Sequence, residues 1–198
     1  IILKNRHPVS FFCPVGDTPD LQRLFDYMKG QGSESSIERV PESFVKKHLE
    51  GDERYICLEE RDQFDYLHNV RELIDLKGRR FHDKKNRVNR FRSEYKYEYQ
   101  TLTAELVDEC IEFEEYWCEV RECEKYYGLD KERCAIFAML RNFEYLNLKG
   151  GVIRIDNKIA ALTIAEQFLH DTLVIHVEKA NPDIQGLYQV INQEFLIH

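Results

Sequence analysis

The chain has 198 residues, 43% hydrophobic and 12% aromatic, enough apolar surface for one large domain or two small ones and too much for global disorder. Its 28 basic and 36 acidic side chains leave a net charge of −8, which argues against general binding of DNA or other polyanions. No run approaches the roughly 18 apolar residues of a membrane span, and no cleavable leader is visible, so a cytoplasmic location is expected. Because it starts at Ile1 and stops at His198 inside an apparent helix, the chain reads as a piece of a longer one, and a lost leader stays open.

In the N-terminal part, Val9-Ser10-Phe11-Phe12-Cys13 between Pro8 and Pro14 reads as a strand, followed by a turn at Gly16-Asp17-Thr18-Pro19. Asp20 opens a helix with Leu21, Leu24, Phe25 and Met28 on one face, ended by Gly30. Gly32 to Ser36 reads as a flexible loop and Ile37 to Val40 as a second strand. Pro41 opens a helix that Gly51 closes, and Tyr55-Ile56-Cys57-Leu58 reads as a further strand. This alternation suggests an α/β half-unit.

The second half begins with a basic helix, Phe81 to Arg92. The alternating Tyr95, Tyr97 and Tyr99 mark a half-buried strand. Thr103 is expected to cap a helix carrying Leu106, Val107, Cys110, Ile111, Phe113, Trp117 and Val120, and Asp130 a second one with Ala135, Ile136, Met139, Leu140 and Phe143. Gly150-Gly151 ends that helical region. Val152 to Ile155, the turn Asp156-Asn157 and Ile159 to Ala165 form a hairpin. Thr172 to Glu178 adds another strand, and a last helix carries Leu187, Val190, Ile191 and Phe195. A mixed α/β (α+β) fold follows, divided at 1–75 and 76–198. Six scattered cysteines without CxxC or zinc spacing read as reduced, mostly core thiols, and no metal is expected.

Charge is unevenly spread. From Lys77 to Arg92 eight basic residues meet one acid, while Thr103 to Tyr126 holds nine acids against Arg121 and Lys125. Either the two segments neutralise each other, or the first lines a pocket for an anion. On the helical period Phe81, Val88 and Phe91 fall on one side and His82, Asn86, Asn89 and Arg90 on the other. Arg and Asn suit phosphate or carboxylate by fork geometry and charge-assisted bonds. Lys84 and Arg87 complete the candidate anion-binding set from this helix. Further along, alternation puts Val174, His176 and Glu178 on one face of their strand. His176 with Glu178, joined by Glu166 from the neighbouring strand, has the residue types that remove a proton from an attacking amine. Gly186, Tyr188 and Asn192 at the start of the last helix, with Lys179 from the strand before it, would extend an anion site. A buried structural histidine and a packing role for Tyr188 and Asn192 are the plainer alternatives.

The order strand, helix, helix, three antiparallel strands, helix is similar to the first two thirds of the GNAT acyltransferase fold. More narrowly, the chain resembles an uncharacterised bacterial family related to the C-terminal domain of phosphatidylglycerol lysyltransferases, built from two GNAT-like lobes. The residues that carry the likeness run from Leu76 to Phe91, from Ala161 to Glu166, from His176 to Ala180 and from Gly186 to Phe195. The family's glycine before Glu166 is Ala165 here. Aligning the GNAT phosphate loop on Gly186 puts Asp183 at its Arg/Gln position and Tyr188 at its last small one. The resemblance implies transfer of an acyl or aminoacyl group, from acyl-CoA or an aminoacyl-tRNA, to an amine or hydroxyl. An anionic phospholipid is a further possible partner. A binding or scaffold protein that keeps only the fold is the rival expectation.

Overall fold

The computed structural model describes residues 4–6, 9–16, 20–30 and 36–198, with side chains from residue 11 onward. The chain divides into two units, Ile1–Tyr66 and Leu67–His198. The turn expected at 16–19 and the loop at 32–36 fall largely outside the described residues.

In the first unit, β1 (Lys4–Arg6), β2 (Val9–Phe12) and β3 (Ile37–Glu38) form one sheet in that order, β1 antiparallel and β3 parallel to β2. Helix α1 (Leu21–Gly30) is capped by the Asp20 carboxylate, which accepts the Arg23 N–H at 3.0 Å, and it buries Met28. Helix α2 (Glu42–His48) starts after Pro41, whose φ of −62° suits a helix entry. Tyr55 to Leu58 is not a strand. Tyr55 stacks on Phe25, but Ile56 and Leu58 are 87% and 85% exposed and the segment has no ladder partner. A short apolar run specifies a strand only when a sheet edge is there to receive it.

The second unit opens with α3 (Val70–Asp75), which the sequence reading passed over although Asn69 caps it, accepting N–H bonds from Arg71 and Glu72. A single turn, Arg79–Phe81, leads into α4 (His82–Glu94). Then follow β4 (Glu98–Thr101), α5 (Val107–Val120), α6 (Tyr127–Arg141), β5 (Lys149–Ile155), β6 (Lys158–Leu169), β7 (Thr172–Ala180) and α7 (Leu187–Ile197). The four strands form an antiparallel sheet in the order β4-β5-β6-β7. The β5–β6 hairpin turns on Asp156 and Asn157, both at positive φ (50° and 63°), as a two-residue turn requires.

Strand alternation sorts the core into two layers. Val152, Leu162, Ile164 and Val177 pack against Cys110, Phe113 and Trp117 of α5 and Ile136 and Leu140 of α6. Ile153, Ala161 and Ala180 pack on the other face against Val88 and Phe91 of α4 and Leu187, Val190 and Ile191 of α7. Each of the fully buried large side chains removes enough apolar area to favour folding by about 1.5–3 kcal/mol. The architecture is the mixed α/β class expected.

Several local expectations need correction. Thr103 does not cap α5; its hydroxyl donates to Glu105 at 2.6 Å, and a 3₁₀ turn, Ala104–Leu106, precedes the helix. Asp130 lies inside α6, holding Arg133 at 2.8 Å. Gly150 and Gly151 sit within β5, where a Cβ at Gly150 would stand 2.6 Å from the Thr163 carbonyl oxygen and one at Gly151 would enter the Tyr99 ring. They are glycines because neighbouring chains approach closely, not because a helix ends. Cys118 and Cys123 are joined in a disulfide; of the free thiols Cys110 is buried, Cys13 half-buried and Cys57 and Cys134 exposed.

Candidate functional site

The exposed face of α4 is the one the helical period picks out. Phe81, Val88 and Phe91 are buried, while His82, Lys84, Asn86, Arg87, Asn89 and Arg90 are exposed. The basic stretch does not neutralise the acidic helix. Three of its ion pairs are local, Arg80 with Glu72, Lys77 with Asp75 at 2.8 Å and Arg90 with Glu94 at 2.8 Å, and the fourth joins Arg92 to Glu194 of α7 at 2.5 Å. Among the described residues no ion pair joins Lys77–Arg92 to Thr103–Tyr126, and Arg79, Lys84, Lys85 and Arg87 take part in none.

Three elements meet at Glu178. Its carboxylate on β7 accepts the Asn192 side-chain N–H from α7 at 2.8 Å and feels the charge of Lys84 on α4. Lys84 lies four residues before Val88 and seven before Phe91, the spacing that turns it toward the same side as the buried stripe. Burial raises the Glu178 carboxyl above the ordinary carboxylate range, against the opposing pull of the Asn192 bond and the Lys84 charge. Thr163 stands directly opposite Glu178 in the ladder; it is fully buried and its hydroxyl has no hydrogen-bond partner. Tyr188, one turn before Asn192 on α7, packs against the α4–α7 core.

The expected trio of His176, Glu178 and Glu166 does not meet. Ile164 pairs with Val177 but Ala165 pairs with Ile175, so His176 is the extra residue of a bulge. A bulge breaks the two-residue alternation. Beyond it, Val174 and Glu166 are paired on the α5–α6 side, and His176 Nε2 stands 3.4 Å from Glu166 Oε2. Glu178 faces α7 instead. Lys179 also leaves the expected set. It points into the α5–α6 layer, 2.6 Å from Glu132 Oε2 and 3.6 Å over the Trp117 ring.

Gly186 is not open to a ligand either. It starts α7 at φ +89°, and a Cβ there would meet the Arg87 carbonyl oxygen at 2.6 Å and Phe91 Cβ at 3.2 Å. The glycine lets α7 lie directly on the α4 backbone. This contact draws the basic helix and the β7–α7 corner to one place.

A second polar cluster escaped the sequence reading. Glu194, 9% exposed, accepts from Arg92 at 2.5 Å and from the Tyr97 hydroxyl at 2.6 Å, while Arg92 Nε also donates to Tyr97 at 3.0 Å. His198 Nε2 stands 3.7 Å from the other Glu194 oxygen and its ring stacks on Tyr99 at 4.7 Å. An acid in the apolar run Val190 to Ile197 was its one visible signal. Among the described residues, no group of three or more His, Cys, Asp and Glu side chains could hold a metal ion, and no helix is long and apolar enough to cross a membrane.

A family model described as phosphatidylglycerol lysyltransferase, C-terminal, matches residues 2–198. Among solved structures, the chain is similar to a conserved protein of unknown function from Bacteroides thetaiotaomicron VPI-5482, with 34% identity and a TM-score of 0.83. The match covers 95% of this chain and 65% of the other, so the chain spans about two thirds of that protein's length. No curated protein matches it.

Proposed function

Since the chain belongs to the phosphatidylglycerol lysyltransferase C-terminal family, we propose that it transfers an aminoacyl group from an aminoacyl-tRNA to a hydroxyl or amine, with an anionic phospholipid as the acceptor class. The observation that carries this reading is the approach of Lys84, a cation of α4 in no ion pair among the described residues, to the half-buried Glu178 carboxyl that Asn192 holds. On it, the GNAT-like second unit does the chemistry. Arg79, Lys84, Lys85 and Arg87 neutralise donor phosphates, a role that needs cations not already paired within the protein.

Glu178 is the general base. Its raised proton affinity brings the carboxyl closer to neutrality, where a base is most effective. The acceptor oxygen or nitrogen attacks the ester carbonyl carbon and its proton passes to Glu178. The bond to the terminal ribose oxygen then breaks, and that oxygen takes the proton as it leaves. Asn192 holds the carboxylate in place.

Acyl-CoA is the weaker donor candidate. Its pyrophosphate needs the open N-terminus of a helix, whereas Gly186 at the start of α7 is covered by the α4 backbone. The test is to incubate the chain with radiolabelled aminoacyl-tRNA and vesicles of phosphatidylglycerol or of phosphatidylcholine. Label entering the organic phase with phosphatidylglycerol alone is the expected result. Label remaining on tRNA, or released only as free amino acid, overturns the reading.

A further inference from the structure

On the face of the sheet opposite Glu178, a cavity of about 790 Å³ opens where α5 gives way to α6. Its walls include the aliphatic side chains of Val120 and Leu129, the Tyr126 ring, Arg121 and the carboxylates of Glu122 and Glu132. Such a volume lies within the range of small-molecule sites.

The charges around it do not cancel locally. Glu122 is held by Lys125 at 2.5 Å. Arg121 enters no ion pair among the described residues; its guanidinium stands 5.8 Å from the Trp117 ring centre. Glu132 is held by Lys179 at 2.6 Å, and Lys179 also faces Glu114. Glu114 is fully buried and its Oε2 has no hydrogen-bond partner. Arg133, the other nearby cation, is tied to Asp130 at 2.8 Å. Arg121 is therefore left without an anion, and it shares the walls of a single cavity with the partly exposed Glu132 carboxylate, with apolar surface between them.

We infer that this cavity binds a free α-amino acid, with its carboxylate on Arg121, its ammonium on Glu132 and its side chain against Val120, Leu129 and Tyr126. A simple amine would leave Arg121 unmatched, and a simple acid would leave the exposed part of the Glu132 carboxylate unused. The site is separate from the Lys84–Glu178–Asn192 cluster and does not depend on the transfer reaction. It selects the free amino acid over an aminoacyl ester, which has no carboxylate to offer Arg121.

Trp117 is the only tryptophan in the sequence and lies under Lys179, so its fluorescence reports on the site directly. The experiment titrates the full chain with each proteinogenic L-amino acid, then with the decarboxylated amine and the deaminated acid of the tightest binder. At least one amino acid should give a saturable change, and both half-ligands should bind about tenfold or more weakly, each having lost one charge-assisted contact. Arg121→Gln, which breaks no ion pair, should weaken binding about tenfold with an unchanged melting temperature. Glu132→Gln should do the same to the ammonium contact. Absence of any saturable response, an amine or acid binding as tightly as the amino acid, or unaltered affinity in Arg121→Gln would each overturn the inference.

Discussion

Replacing Glu114 by glutamine keeps the shape of the side chain and removes a charge that the fold accommodates poorly. Burial pushes this carboxyl up to about 7 from an ordinary 4.5, against a smaller lowering by Lys179. For an acid whose folded value is raised, the protonated form favours folding. Stability from this group is complete below the unfolded value and is lost as pH rises through the folded one. The shift of about 2.5 units corresponds to about 3 kcal/mol at 1.36 kcal/mol per unit, and the whole of this cost applies above pH 7. Urea unfolding of the two proteins at pH 5 and pH 8 isolates it. The advantage of Glu114→Gln over the parent should grow by about 2.5 kcal/mol between those pH values, since the common pH dependence of all other groups cancels in the difference. A gap that is the same at both pH values would mean that Glu114 titrates as an exposed acid, and the picture of an unpartnered carboxyl beneath Lys179 would be wrong.

Gly186→Ala should lower stability by about 2–4 kcal/mol in thermal unfolding, because it combines a positive φ with a collision against the Arg87 carbonyl. A neutral outcome would separate α7 from α4. Removing the disulfide as Cys118→Ser with Cys123→Ser should cost about 2 kcal/mol, the loop-closure value for so short a loop, and the double variant should no longer respond to a dithiol. Changing Lys84, Lys85 and Arg87 together to glutamine should reduce the salt slope of tRNA binding by about 2–3 in log–log form. An unchanged slope would take the tRNA off α4.

Much of the second unit was legible because its periodicities are strong. Val88 and Phe91 declare the buried side of α4, Tyr95 to Tyr99 alternate, and Asp156-Asn157 is a hairpin turn in the residues themselves. Lys84 was counted with the anion-binding residues of α4, and its approach to Glu178 depends on where β7 lies, which helical spacing does not give. What was not readable depends on other strands. The bulge at His176 adds one residue to β7 relative to β6, and a single unpaired residue reverses which face its neighbours occupy. Alternation counted along β7 alone therefore joined His176 to Glu178, whereas of the two carboxylates expected beside it only Glu166 stands there. Glycine has the same ambiguity, since Gly150, Gly151 and Gly186 look like breakers yet mark close approaches by Thr163, Tyr99 and Arg87. Glu114 did carry a signal, lying four residues after Cys110 and three before Trp117 on the apolar side of α5. The acidic stretch around it masks that position, and the position is what sets it apart from Glu115, which stays exposed.

The claim on which the functional account rests is that Glu178, not His176, receives the proton during transfer. Single-turnover transfer from radiolabelled aminoacyl-tRNA to phosphatidylglycerol vesicles, measured side by side for the parent, Glu178→Gln and His176→Gln, addresses it directly. The account predicts a loss of about 100-fold or more in Glu178→Gln, within the range for removal of a general base, with His176→Gln close to the parent. Full transfer by Glu178→Gln, or a collapse confined to His176→Gln, would contradict it.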